Sequence, residues 1–178
     1  GQVYTKGKAV FGDWSWRLGP AFSVSTGLRY TSEDKRAVVL NQAFSNDQFS
    51  GTPIAVPANF DKSRSVTNTS PRLSLEYKAS KEIKLYTTAS RGFKSGGYNI
   101  RANTLAVPAS SKPFDDEKLD SLELGAKMVL DEGRLELNTA VFHNKYKNVQ
   151  LSVFTSYTQA NGQPGFFGDF TNAGKATV

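Results

Sequence analysis

Apolar and polar residues alternate one by one along most of this chain. In residues 21–31, Phe22, Val24, Thr26, Leu28 and Tyr30 fall on one side of an extended strand, and Ala21, Ser23, Ser25, Gly27 and Arg29 fall on the other. Residues 72–79 repeat the pattern, with Leu73, Leu75, Tyr77 and Ala79 opposite Arg72, Ser74, Glu76 and Lys78. Residues 121–130 set Leu122, Leu124, Ala126, Met128 and Leu130 against Ser121, Glu123, Gly125 and Lys127. Successive side chains of a strand point to opposite faces, so each segment has one greasy and one wet face. Four further segments are less regular. Residues 2–18 place Val10, Trp14 and Trp16 opposite Asp13, Ser15 and Arg17. Residues 83–90 begin with Ile83 and Leu85 against Lys84 and then turn polar on both sides. Residues 134–154 put Leu135, Leu137, Thr139 and Val141 opposite Glu136 and Asn138, and residues 171–178 read as the start of another strand. No segment holds a helical period over three turns. The pattern predicts seven strands.

The connections between these strands sort by length. Tight turns are expected at Leu18, Gly19 and Pro20, at residues 79–82, and at Asp131, Glu132 and Gly133. Long polar connections run over residues 32–65, 91–118 and 155–170. Short and long alternate strictly, which is the layout of outer-membrane barrels with short turns at one rim and long loops at the other.

Composition narrows the choice. The chain has 178 residues, 22 Lys and Arg against 16 Asp and Glu, and a net charge of +6. The charges are interspersed, so no basic tract of the kind that binds nucleic acid is present. There are no cysteines, which excludes disulfides and thiolate-ligated zinc or iron–sulfur sites. No run approaches the ~18 apolar residues of a spanning helix. A mean hydropathy of −0.43 still suits a membrane barrel, where only alternate residues meet lipid. The first residues have no signal-peptide core; either a signal has been removed or this is an internal piece, and the second is expected because both ends fall inside strand-like sequence.

Aromatic residues gather near strand ends. Trp14, Trp16, Phe22 and Tyr77 lie towards the tight turns, and Tyr30 and Tyr146 towards the other end, as interfacial girdles would; the competing reading is that aromatic residues simply favour strands. From Phe22 to Tyr30 is ~26 Å of strand at ~3.3 Å per residue, or ~20 Å of height at a tilt of about 40°. Arg29, Arg72, Glu76, Lys78, Lys84, Glu123, Lys127 and Glu136 share the wet face. That face suits a wide barrel's lumen and equally the outside of a soluble sheet. Pro71 has no N–H for a ladder and is expected above the membrane or at a bulge.

Particular residues then resemble a family. Gly27 to Lys35, reading GLRYTSEDK, resembles the GLRYTxExK strand of TonB-dependent outer-membrane receptors. Arg91 to Asn99, reading RGFKSGGYN, is similar to their RGFKSGGFN segment. LELGAK at 122–127, LELNTAVF at 135–142 with YKNVQ at 146–150, and NAGKA at 172–176 resemble further family segments in family order. Leu122 and Asn148 depart from the family's usual Tyr and Asp.

The resemblance implies an all-β fold: an antiparallel up-and-down transmembrane β-barrel, of which about seven strands out of 22 are present, with the plug domain and TonB box absent from this chain. It implies a transporter and not an enzyme, placed in the bacterial outer membrane, that takes up an iron–siderophore, haem, cobalamin or oligosaccharide. The implied partners are outer-membrane lipid, the transported solute, and the TonB–ExbB–ExbD complex through the missing N-terminal part. No catalytic residues, cofactor or metal are expected. Loop residues Arg91, Lys94, Tyr98, Asn99, Arg101, Tyr157, Phe166 and Phe167 are the candidate ligand contacts, since Arg and Lys pair with anions and aromatic rings stack on sugars or catechols. For 91–99 the competing role is architectural, with Gly92, Gly96 and Gly97 allowing a sharp exit from the strand. Asp115, Asp116 and Glu117 lack the alternating oxygen ligands of a calcium loop, GFKSG at 92–96 lacks a phosphate loop's spacing, and His143 stands without a second histidine. Glu123 and Glu136 flank a tight turn as a candidate facing pair. A soluble all-β ligand-binding module and a passive porin remain as alternatives on periodicity alone.

Overall fold

The computed structural model describes residues 1–45, 48–159 and 161–178. Nine antiparallel strands follow in order: β1 (Gln2–Arg17), β2 (Phe22–Ala43), β3 (Ala55–Lys78), β4 (Ile83–Lys94), β5 (Glu117–Leu130), β6 (Leu135–Lys147), β7 (Gln150–Thr158), β8 (Pro164–Asn172) and β9 (Lys175–Thr177). Seven form one sheet in the order β1-β2-β3-β4-β5-β6-β9, and β7 and β8 form a hairpin. Among the described residues the sheet does not close on itself.

The three tight turns stand where the alternation places them. Leu18 and Lys78 donate their N–H groups to Phe22 O and Ala21 O, at 2.9 and 2.7 Å, tying the first turn to the neighbouring strand end. The third turn has positive φ at Asp131, Glu132 and Gly133 in succession.

The long connections differ from the expectation. Residues 32–65 are not a loop: β2 and β3 continue paired as far as Ala43 and Ala55. Residues 134–154 are not one strand but break between β6 and β7 at Asn148, where φ is +54°. Residues 155–170 are largely the β7–β8 hairpin, and the expected strand at 171–178 is reduced to β9. The pairs Lys147–Lys175 and Gln150–Asn172 keep one register across the break. The third connection is therefore a bent continuation of the β6–β9 ladder, swivelled at Asn148 and at Gly174, also at positive φ. Polar residues on both faces hide such extensions, because alternation marks a strand only where the two faces meet different media.

Within the sheet the pairing aligns side chains into rows. One row runs Trp16, Val24, Leu75, Thr87, Leu124, Val141, and the next Trp14, Thr26, Leu73, Ala89, Leu122, His143. Nearer the tight turns, Phe22 stacks on Tyr77 with ring centroids 4.7 Å apart. The opposite face carries Ser15, Ser25, Ser74, Thr88 and Glu123 in one row, and all the charges expected on the wet face lie there. Tyr146 departs from the girdle reading. It is an odd number of residues from Val141, so it falls on the polar face with Leu119, whereas Tyr30 stays on the apolar face. Glu123 pairs with Phe142 and Glu136 with Val129, so the two carboxylates stand well apart along the sheet.

No second layer covers the apolar face among the described residues: Val10, Leu124 and Val141 are 68, 57 and 68 % exposed. The buried core is small and lies elsewhere, in Ala37, Val39, Ala58 and Ala102 with Phe60 and Tyr98 packed against it. Pro71 marks where β3 loses its β4 neighbour. It is one residue past the last pair, Arg72–Ser90, while it still pairs with Leu28 of β2.

On the polar face the Tyr86 ring lies over Gly125 of the next strand, where an added Cβ would come within 2.5 Å of it. Its hydroxyl donates to Glu123 Oε1 at 2.6 Å. Gly125→Val is expected to push the ring aside and break that bond, lowering unfolding free energy in the full-length chain by about 1 kcal/mol. Chemical unfolding of the double-mutant cycle with Tyr86→Phe checks this: once the valine is present, removing the hydroxyl should cost little more.

Candidate functional site

Residues 95–116, which join β4 to β5, fold back over the polar face of the upper β2–β3 extension. There the wet face turns apolar, because Ala37, Val39, Ala58 and Phe60 now meet Ala102 and Tyr98 instead of water. Basic side chains on the extension anchor the segment. Lys35 Nζ donates to Gly96 O at 2.8 Å, Lys62 Nζ to Ser111 O at 3.0 Å, and Arg64 Nη1 to Phe114 O at 2.7 Å. Lower down, Asp116 accepts from the Gly96 N–H and from Asn68 Nδ2, both at 2.7 Å. Gly96 is required by space: an added Cβ would lie 2.2 Å from Phe114 O, a backbone atom that cannot swing away. Gly92 has open space around it, so the three glycines of the motif are not equivalent.

The β7–β8 hairpin is stitched onto this segment by amides. Buried Gln150 shares its Nε2 hydrogens among the carbonyls of Lys94, Ser95 and Asp115, at 3.0–3.2 Å, and its own N–H donates to Glu117 Oε2 at 2.7 Å. Asn172 accepts the Asp115 N–H at 2.6 Å and donates to Asp115 O and Asn148 O. Asn99, 2 % exposed, donates to Gly168 O at 3.1 Å and to Asp169 Oδ1 at 2.9 Å. The Asp116 and Glu117 carboxylates are thus occupied by backbone N–H groups, and Asp115 faces Arg64 at 3.6 Å. Among the described residues no cluster of three His, Cys, Asp or Glu side chains has metal-binding geometry.

The candidate contacts separate into groups. Arg101 lies at the junction, its guanidinium 5.4 Å from the Phe170 ring centroid and its Nη2 2.9 Å from Ser152 Oγ. Tyr157 and Phe167 meet edge to face at 6.2 Å farther along the hairpin, with Phe166 exposed beside them. Tyr98 packs on Phe60 at 6.4 Å, so it and Asn99 hold the loop's shape. The Lys94 side chain is exposed, while its carbonyl belongs to the Gln150 cluster. Arg91 stands apart: strand parity puts it above the apolar rows, where its Nε bonds Asp120 Oδ1 at 2.5 Å. Gln150, Ser152, Asp169 and Phe170 were not among the sequence candidates. Only the YKNVQ segment touched one of them, and no local signal shows that Gln150 bridges three carbonyls distant in sequence. On the outer flank of the extension Arg36 forms a fork with Asp61, bonding it through Nε at 2.7 Å and through Nη2. That guanidinium holds the Asp61 carboxyl below the usual carboxylate range, though exposed pairs of this kind add little stability.

The chain matches the family model described as TonB dependent receptor-like, beta-barrel, over residues 1–178. It is 28% identical over 146 residues to the pesticin receptor of Yersinia pestis, a match covering 80% of this chain and 19% of that protein. It is 37% identical over 79 residues to the metal-pseudopaline receptor CntO of Pseudomonas aeruginosa, covering 44% of this chain and 10% of that one. Among solved structures it resembles the ferric yersiniabactin uptake receptor FyuA from Yersinia pestis, with a TM-score of 0.71 and 23% identity over 98% of this chain and 23% of that one. It also resembles the ferric-catecholate import receptor Fiu from E. coli, with a TM-score of 0.67 and 15% identity over 98% of this chain and 24% of that one. These structural likenesses speak to the fold. The chain spans about a fifth of the length of the curated relatives it matches.

Gln150→Ala is expected to leave the Lys94, Ser95 and Asp115 carbonyls without that partner, at a local cost of about 1–3 kcal/mol. Hydrogen exchange in the full-length chain should quicken in residues 94–117 and 150–172 while the ladder of 72–90 stays protected.

Proposed function

The chain belongs to the family of TonB-dependent receptor-like β-barrels, and from that premise we propose that it forms part of the wall, lumen lining and outer loops of an outer-membrane transporter for a scarce metal chelate. Members of this family are transporters and not enzymes. The observation that carries the membrane assignment is the uncovered apolar face. A water-soluble sandwich would bury Val10, Leu75, Leu124 and Val141 against a second sheet; here they stay exposed in a single layer. Lipid is the medium that makes such a face favourable. The tight turns then face the periplasm, and the β2–β3 extension, residues 95–116 and the β7–β8 hairpin face outward.

Among iron–siderophores, haem, cobalamin and oligosaccharides, a metal chelate is favoured, since CntO, FyuA and Fiu are named for metal-pseudopaline, ferric yersiniabactin and ferric catecholates. A plug and a TonB-engaging box, carried elsewhere in the full-length protein, would couple transport to the TonB–ExbB–ExbD complex and so distinguish it from a passive porin. Arg101 is the proposed anion contact, since it is exposed at the junction of two outer elements and is steadied by Phe170 and Ser152. Lys94, Tyr157, Phe166 and Phe167 are proposed as neighbouring charge and stacking groups. Tyr98 and Asn99 position the loops that carry them.

The test is uptake of radiolabelled ferric chelates by iron-starved cells expressing the full-length receptor, with and without TonB. Uptake that requires TonB is expected, and Arg101→Ala should lower apparent affinity about tenfold, the value of one charge-assisted contact. Leu124→Arg should cost ~2–4 kcal/mol if its row lies near the bilayer midplane, and so deplete the receptor from the outer-membrane fraction. Uptake indifferent to TonB would favour the porin, and a receptor found in the soluble fraction would favour the soluble module.

A further inference from the structure

Above the Arg72–Ser90 pair the β3–β4 ladder stops. Pro71 offers no N–H there, while Arg91 continues the β4–β5 ladder opposite Asp120. The interruption leaves a hollow of about 580 Å³. Its floor is formed by Pro71, Leu73, Ala89 and Leu122, with His143 in the same row as Leu122, and Arg91, Asp120 and Lys145 stand at its upper rim. All of these share the parity of the apolar face. Below it a second hollow, of about 310 Å³ and lined by Leu85, Leu124, Ala126, Thr139 and Val141, continues down the same face. Small residues make this track: Ala89 sits between Leu73 and Leu122, and Ala126 between Leu85 and Thr139.

The charge at the head of the track is unbalanced. Lys118, Lys147 and Lys175 form one row of the pairing, directly above the row that holds Arg91, Asp120 and Lys145. These five bases meet one carboxylate. Asp120 is shared by Arg91 and by Lys147, whose Nζ lies 3.1 Å from Oδ2. Lys118, Lys145 and Lys175 have no ion pair among the described residues. An apolar track ending in unneutralised bases complements a molecule with a hydrocarbon tail and an anionic head.

We propose that this track is a binding site for a phosphorylated membrane lipid, with an acyl chain along Leu73, Ala89, Leu122 and Leu124 and its phosphate among Arg91, Lys118 and Lys145. The proposal rests on the lipid-facing reading of the apolar face. A zwitterionic lipid leaves the excess bases unneutralised, and a free anion leaves the hollows empty. The lysines are long enough to lay their methylene stems on the apolar rim and reach the head group with the ammonium.

The full-length receptor is first inserted into nanodiscs of neutral phosphatidylcholine, which tests the lipid-facing reading alone. Native mass spectrometry from neutral detergent then compares retention of phosphatidic acid, phosphatidylcholine and inorganic phosphate. Phosphatidic acid should be retained preferentially, and Lys118→Gln with Lys145→Gln should weaken it about fivefold per lysine, the attraction of one juxtamembrane base for an anionic surface. Ala89→Phe fills the hollow without touching a charge and should weaken retention independently, with circular dichroism unchanged. The proposal is overturned if normal insertion accompanies equal retention of both lipids, if the variants retain phosphatidic acid as the parent does, or if inorganic phosphate displaces the lipid completely. Failure to insert into the neutral bilayer would overturn the lipid-facing reading and this site with it.

Discussion

A sheet one layer thick has no protein behind it to satisfy its backbone, so the ladder between strands must do so along the whole crossing. From the Phe22–Tyr77 row to the Trp14–Leu122 row the pairing from β1 to β6 runs without a bulge. The recorded shift in the β2–β3 register falls far above, between Asn41 and Ala43. The same demand explains Pro71. It sits one residue beyond the β3–β4 ladder, where its missing donor leaves no gap in that ladder. It also explains the two lateral edges. β1 and the lower part of β6 each have a partner on one side only, and in a closed barrel both edges are taken up by further strands.

Above the crossing, a different economy operates. The middle segment is irregular, and its carbonyls are satisfied one at a time by side chains: Lys35, Lys62 and Arg64 from the extension, then Gln150 and Asn172 from the hairpin. A core of small residues closes the space beneath. Amide side chains suit this task because each offers donor and acceptor without a charge to desolvate. The outer elements are thereby joined to one another as well as to the wall, so a solute bound at Arg101 would touch a unit tied to β3, β4 and β7 together.

The sequence declared the crossing far better than the loops, for a physical reason. Phe22 to Tyr30, Leu73 to Tyr77 and Leu122 to Leu130 alternate because their two faces meet different media, and the tight turns follow from where that alternation stops. In 32–36 and 61–65 both faces carry polar residues, as in the Glu33-Asp34-Lys35-Arg36 run, and in 37–40 both carry apolar ones, so the strands continue without their signature. The break at Asn148 leaves no trace in hydropathy, and Tyr146 lies at a girdle's distance from the tight turn while its parity puts it on the polar face. The amide cluster was illegible for another reason: Gln150 is an ordinary polar residue until tertiary structure brings Lys94, Ser95 and Asp115 around it.

Parity also separates the residues of the Arg91–Asn99 segment. Arg91 and Phe93 point to the apolar side, where Arg91 meets Asp120. Gly96 then allows the chain to pass against the Phe114 carbonyl. Tyr98 and Asn99 fix the segment to Phe60 and to the hairpin, and only beyond them does Arg101 emerge beside the outer hairpin. Most of this run is thus engaged within the protein: its first residue faces the rim of the wall, Gly96 answers a steric demand, Tyr98 is half-buried against Phe60 and Asn99 is buried. On the reading proposed above, what this part of the wall contributes to choosing a solute falls to exposed or half-buried side chains, Lys94 within the motif and Arg101, Tyr157, Phe166 and Phe167 beyond it, where the backbone is held by bonds that do not depend on their identity.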